Sequence, residues 1–231
     1  MAKQESTHEL ILKTLQEKTV LKLNVAENRN LAFEKLKKIA KKLAVELNDK
    51  MKSVNEKITV LYKDRSAFEF ELSVADDILI FYMHTNIFEF DKSHALWKSS
   101  YLKDDNSRSF CGMINIYNFL SDSFKYNRAT DVGYMIGRIF INKESHYFLE
   151  GKRQLGFLYN DFVNEVIDED KLKNIVESAI LYCLSFDLLT PPFDNVKEVS
   201  VSEMQEVNNN MQIKTGKRLG FRFQADSDQI D

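Results

Sequence analysis

The apolar positions of this chain change period twice. Ala32, Leu36, Ile39, Ala40, Leu43, Leu47 and Met51 recur at steps of three and four. That spacing predicts a helix of roughly seven turns from about Val25 to Met51. Upstream, Ser6 followed by Glu9 has the spacing of a capping box, with Leu10, Ile11 and Leu15 as a short apolar stripe behind it. Asn24 followed by Glu27 repeats the start signal. From Ile58 onward the period becomes two. Ile58–Asp64, Ala67–Val74 and Ile78–His84 read as strands, divided by the polar turns Arg65-Ser66 and Ala75-Asp76-Asp77. Turns this short join antiparallel neighbours. In the first hairpin, Leu61, Phe68, Phe70, Leu72 and Val74 are expected on one face and Glu69, Glu71 and Ser73 on the other. Phe88 and Phe90, flanking Glu89, continue the alternation.

Lys92–Asn106 is polar and irregular in pattern, and it carries Trp97, the one tryptophan. Met113–Phe124 fits both periods, and strand is the preferred reading. Gly133–Asn142, Ser145–Glu150 and Arg153–Tyr159 form a second meander, with Lys143-Glu144 and Gly151-Lys152 as two-residue turns. That register puts Ile139, Ile141, His146, Phe148, Leu155 and Phe157 on one face. Arg138, Phe140, Tyr147, Leu149, Gln154 and Leu158 fall on the other. Both faces are largely apolar, so both must be covered. Period 3.6 then returns: Asp168 starts a helix, Glu169–Leu189, with the stripe Leu172, Ile175, Val176, Ala179, Ile180, Cys183 and Leu184, and Pro191-Pro192 stops it. Ser200 with Glu203 opens a shorter helix running to Asn208–Asn210, and Leu219–Phe223 adds a last strand.

These elements predict an α+β fold: a mainly antiparallel sheet packed against long N-terminal and C-terminal helices. The chain reads as a single domain over 1–223, helical over 1–52, mainly strands over 53–160 and mainly helical over 161–223. A disordered acidic tail, 224–231, closes it. At 231 residues there is enough chain for one sizeable core. With 2 Pro and 7 Gly there is no linker to mark a further boundary. The longest wholly apolar runs, such as Ile78–Met83, are far short of a membrane span, and the first residues lack a signal-peptide core. Two cysteines, Cys111 and Cys183, offer neither a disulfide framework nor metal-type spacing. A cytoplasmic protein without a cofactor and without a membrane is expected.

Candidate chemistry is sparse. Asp76, Asp77, Glu89, Asp91 and His94 gather at strand ends, and Asp76, Asp77, Asp91 and His94 could hold a metal ion for a hydrolase or transferase. Short acceptors before a strand are also ordinary turn chemistry, and a tight zinc site wants more nitrogen or sulfur ligands. Cys183, inside an apolar stripe, reads as a structural thiol, and His146 as a hydrogen-bonded core histidine. Gly133-x-x-x-Gly137 reads as a bulge or a close backbone approach. Thr215-Gly216-Lys217-Arg218 lacks the rest of a phosphate loop. Lys35, Lys37, Lys38, Lys41 and Lys42 load one helix, and Lys217, Arg218 and Arg222 interleave with Phe221 and Phe223. That is the raw material of nucleic-acid binding, but a net charge of −3 argues against it.

The order helix, antiparallel strands, closing helix resembles that of small-molecule sensor domains of the PAS and GAF kind, in coarse topology alone. With no catalytic constellation in view, the expected function is a non-enzymatic module that binds a partner protein or a small ligand, with a homodimer as one form of that association. A ligand site would draw on Trp97, Tyr101, Arg108 and Arg138, the first three from the long polar segment where a scaffold carries its function.

Overall fold

The computed structural model describes residues 6–151, 155, 161–186, 190, 192–202 and 204. Its N-terminal part is one continuous rod. α1 (Thr7–Thr14) passes through a π-helical turn, Leu15–Thr19, into α2 (Val20–Lys52), a length of about 70 Å. The capping box stands as the sequence indicates: the Glu9 amide donates to Ser6 Oγ at 3.2 Å and the Ser6 amide to the Glu9 carboxylate at 2.8 Å. The second start signal at Asn24 is not used. The residues before it are themselves good helix formers, so the helix runs through without a break. Val25, Ala32, Phe33, Leu36, Ala40 and Leu43 form the buried face of α2.

Among the described residues seven strands follow: β1 (Val60–Ser66), β2 (Glu69–Val74), β3 (Asp77–Met83), β4 (Phe88–Glu89), β5 (Phe110–Leu120), β6 (Tyr134–Asn142) and β7 (Tyr147–Gly151). They form an antiparallel sheet in the order β1-β2-β3-β5-β6-β7, with β4 paired to the start of β5. The protein is α+β. The segment 92–109 supplies short turns of helix, among them α3 (Ser100–Asp104). Met113–Phe124 is strand as far as Leu120 and then α4 (Ser121–Lys125). β5 is paired on both sides and buried on both faces, which is why its apolar residues show no single period.

Two registers differ from expectation. In the first hairpin the turn is Ala67-Phe68, since Ser66 opposes Glu69, and a bulge falls between Asp64 and Ser66. Phe70, Leu72 and Val74 share the buried face as expected. Leu61 does not: it opposes Ser73 and is exposed, while Val60 and Tyr62 take the inner positions. Phe68, in the turn, is exposed too. In the second meander the loop between β6 and β7 is three residues long. Ser145 adopts φ 61°, and Asn142 pairs with His146. One extra residue flips every side chain of β7. Tyr147 and Leu149 therefore join Ile139 and Ile141 on the inner face, and His146 and Phe148 join Phe140 on the outer one. Both faces are covered, as the apolar pattern requires. Leu155 is buried in the inner core; the rest of Arg153–Tyr159 lies outside the described residues.

The inner face packs beneath α2 and α5 (Glu169–Leu184), whose Leu172, Ile175, Val176, Ala179, Ile180 and Cys183 are buried. Phe70 stacks on Phe81 at 4.6 Å in the middle of this core. Asp168 caps α5 by accepting the Lys171 amide at 2.8 Å. The helix ends at Leu184 rather than Leu189, and Leu184 itself is exposed. Ser185 closes it, Oγ donating to the Leu181 carbonyl. Val201, Ser202 and Met204 are helical and the Met204 amide donates to the Ser200 carbonyl at 3.1 Å, but Glu203 of the expected box, the strand Leu219–Phe223 and the tail 224–231 lie outside the described residues.

Candidate functional site

The segment between β4 and β5 folds onto the outer face as a second, aromatic core: Tyr101, Leu102, Phe140, Phe148 and Phe162, with Phe90 and Trp97 against it. Three of the four expected ligand residues belong here, and each is engaged internally. Trp97 Nε1 donates to the Phe90 carbonyl at 3.3 Å, and the Lys92 ammonium sits 3.6 Å over its ring. The Tyr101 hydroxyl donates to Glu144 at 2.8 Å and accepts from Asn142 at 2.9 Å. The Tyr101 ring stacks on His146 at 4.7 Å. Arg108 donates to Glu144 at 3.0 Å and to the Tyr101 carbonyl at 2.9 Å. His146 Nδ1 lies 3.0 Å from the Phe162 carbonyl, so it is the hydrogen-bonded histidine expected.

The electrostatics describe a latch. Burial pushes the Tyr101 hydroxyl well above the usual tyrosine range. Burial would also raise Glu144, but hydrogen bonds from Tyr101 and Arg108 outweigh it and hold the carboxyl low. Asp105 is held down at about 2 by the Lys143 ammonium and by Ser107. Lys143 and Glu144, the tip of the β6–β7 loop, thus fasten residues 101–108 to the sheet.

Arg138 stands apart. It is paired with Glu150 across β6 and β7, and the other Glu150 oxygen is 3.9 Å from His94 Nε2. Register places it in a polar row across the outer face, Glu69–Tyr82–Asn115–Arg138–Glu150. In the middle of that row Asn115 is buried, with Oδ1 lacking a hydrogen-bond partner. Lying between Ile114 and Ile116 in a strand, it carried no signal beyond its polarity. A shallow groove of about 380 Å³ runs beside Arg138 and Glu150, floored by Gly137 and Gly151.

The structure does not bring the four metal candidates together. Asp76 lies in the β2–β3 turn and Asp77 opposite Leu120, whereas β4, just before Asp91 and His94, opposes Phe110 and Cys111. Ten residues of β5, about 33 Å, separate the two ends. Asp91 accepts from the Ser93 hydroxyl and amide, which lower its pKa. His94 stacks on Phe90. Among the described residues no group of three or more His, Cys, Asp or Glu is placed to hold an ion. The basic helix is also altered: Lys37 points inward, is buried and donates to Asp64 and to the Ser66 carbonyl at 3.0 and 2.8 Å. Lys217, Arg218 and Arg222 lie outside the described residues. Both cysteines are buried and outside any disulfide, the Cys183 thiol donates to the Ile180 carbonyl at 3.1 Å, and burial raises the Cys111 thiol.

One surface is conspicuous for having nothing against it among the described residues. Every residue from Ser6 to Val20 is exposed, Leu21 is half-buried, and the first buried position is Val25. On this arm Ile11, Leu12, Leu15, Val20 and Leu23 are each about half exposed, between 47% and 57%. Residues three or four apart share a face in an α-helix, and five apart do so where a π turn intervenes. Ile11 and Leu12 therefore align with Leu15, Leu15 with Val20 across the π turn, and Val20 with Leu23. The stripe faces away from the core side of α2.

Comparison with protein-family models, with curated proteins and with solved structures finds no match to this chain. No helix among the described residues is long and apolar enough to cross a membrane.

Proposed function

We propose that the protein is a non-catalytic association module whose N-terminal helix is a docking arm for another protein chain. The observation that carries this is the apolar stripe Ile11–Leu23, which touches none of the core although its helix is continuous with α2. A run of half-exposed aliphatic side chains along one helix face is the anatomy of a protein-binding surface. The alternative of a ligand pocket among Trp97, Tyr101 and Arg108 is weaker, because their polar groups already satisfy one another. Two buried cysteines outside any disulfide suit a reducing compartment such as the cytoplasm.

The test is purification of the full chain from its own cells under mild conditions, followed by native mass spectrometry, alongside a Leu15→Asp/Leu23→Asp variant. The intact chain should travel with itself or another protein, and the variant should travel alone with an unchanged thermal unfolding midpoint. Recovery of a solitary 27.0 kDa chain in both cases, or association that the double aspartate leaves intact, overturns the proposal.

A further inference from the structure

Resting on that reading, we infer that the occupant of the arm is the arm of a second copy, laid antiparallel about a two-fold axis between Glu17 and Lys18. The stripe extends at both ends by one polar residue. His8 lies four residues before Leu12, and Glu27 lies four residues after Leu23. Both are exposed, and among the described residues neither has an ion-pair or hydrogen-bond partner of its own.

Numbering along the stripe shows why a copy of the same helix fits. An antiparallel pair about that axis sets residue i beside residue 35 − i of the partner. Leu15 then meets the partner's Val20, Leu12 meets the partner's Leu23, and His8 meets the partner's Glu27. Three pairings, two apolar and one donor to carboxylate, share one axis, while Ile11 falls beside the partner's Asn24. Two-fold symmetry makes each of them twice, as an isologous interface must. The π turn, Leu15–Thr19, lies across the axis, so both copies carry their irregular turn at the same level. Parallel pairing would instead set His8 beside His8 and Glu27 beside Glu27, leaving the carboxylates unpaired against each other.

The rest of the arm agrees. Gln16 and Asn24 flank one side of the stripe and Thr7 and Thr14 the other, so self-pairing buries no like charges. Three glutamates, Glu9, Glu17 and Glu27, balance three lysines, Lys13, Lys18 and Lys22. An arm that adsorbed to anionic lipid would carry a basic excess instead. From Ile11 to Leu23 the stripe is about 18 Å long. The contact is therefore of modest size, and the dimer should exchange with monomer at micromolar concentrations.

The experiment uses the full chain purified on its own. Sedimentation over a concentration series should show a reversible dimer. Glu27→Lys should weaken it about tenfold, and adding His8→Glu to Glu27→Lys should restore it, since a carboxylate and a hydrogen-bond donor again face each other. Orientation is read by mixing a Leu12→Cys chain with a Leu23→Cys chain under mild oxidation; the native thiols are buried and do not compete. A cross-linked pair forming in the mixture and with neither variant alone supports the antiparallel arm. Cross-linking of each variant to itself means parallel pairing and overturns the inference. A monomer at every concentration overturns it as well. If the same chain taken from its own cells then carries a different protein on its arm, the inference fails while the association function stands.

Discussion

Asp105 is clamped from two sides, by the Lys143 ammonium and by Ser107, and its pKa of about 2 lies below the ordinary carboxylate value of 3.8. A carboxyl that is depressed on folding contributes stability above its unfolded pKa and loses it as pH falls through the folded one. The contribution is therefore present at neutral pH and fades between pH 4 and pH 2. Urea unfolding of wild type and Asp105→Asn should show a gap at pH 6 that closes by pH 2. The gap should be small, because the carboxylate is a third exposed. A gap independent of pH would show that Lys143 does not hold this carboxylate in solution. Asn115 is the opposite case, a buried acceptor with nothing to accept. Replacing an unsatisfied polar group by an apolar one of similar volume is neutral to stabilising. Asn115→Leu should thus raise stability by up to about 1 kcal/mol. A clear loss in thermal unfolding would mean that Oδ1 has a partner in solution, and would move attention to the polar row.

At the scale of elements, the approach of α2 to β5 depends on Gly112. A Cβ there would lie 2.7 Å from Arg29 Cβ and Cδ. That stem cannot swing away while its guanidinium donates to the His84 and Thr85 carbonyls at 2.6 and 3.0 Å. Gly112→Ala should cost about 1–3 kcal/mol by forcing helix and sheet apart. Gly137→Ala, where the nearest atom is at 3.5 Å, should cost clearly less in the same chemical denaturation series. Equal costs would remove the special role given to the Arg29 contact. The elements themselves were largely legible. The helical periods of α2 and α5, the cap at Ser6 and the antiparallel strands all follow from residue pattern. What failed was parity. Ala67-Phe68 and Lys143-Glu144-Ser145 contain no glycine, asparagine or proline, so nothing local announced where each loop began or how many residues it held. Strand pairing made that choice, and a single residue decided which face Leu61, Tyr147 and Phe148 would take. The bulge near Gly137, between Ile116 and Tyr117, was legible from the glycine spacing.

At the scale of the whole molecule, the candidate site was read in part. Tyr101 and Arg108 stood out in a polar segment and do meet, but Glu144, which joins them, comes from a loop 36 residues beyond Arg108. A contact that distant leaves no mark on local sequence. The metal quartet looked like a cluster because its members lie at strand ends; the meander put those ends at opposite ends of β5. The arm misled in the other direction, since an apolar helical stripe ordinarily signals contact with the chain's own core. Only the position of the first buried residue, Val25, shows that this one looks outward.

That arm differs mechanically from a tail on a linker. No hinge separates Thr7 from Lys52, so it behaves as a beam rather than a tether. A tethered segment raises the local concentration of whatever it holds and lets it tumble. A beam fixes both bearing and distance, and any twist imposed at Ile11–Leu23 arrives as torque on the Ala32–Ala44 seam against the sheet.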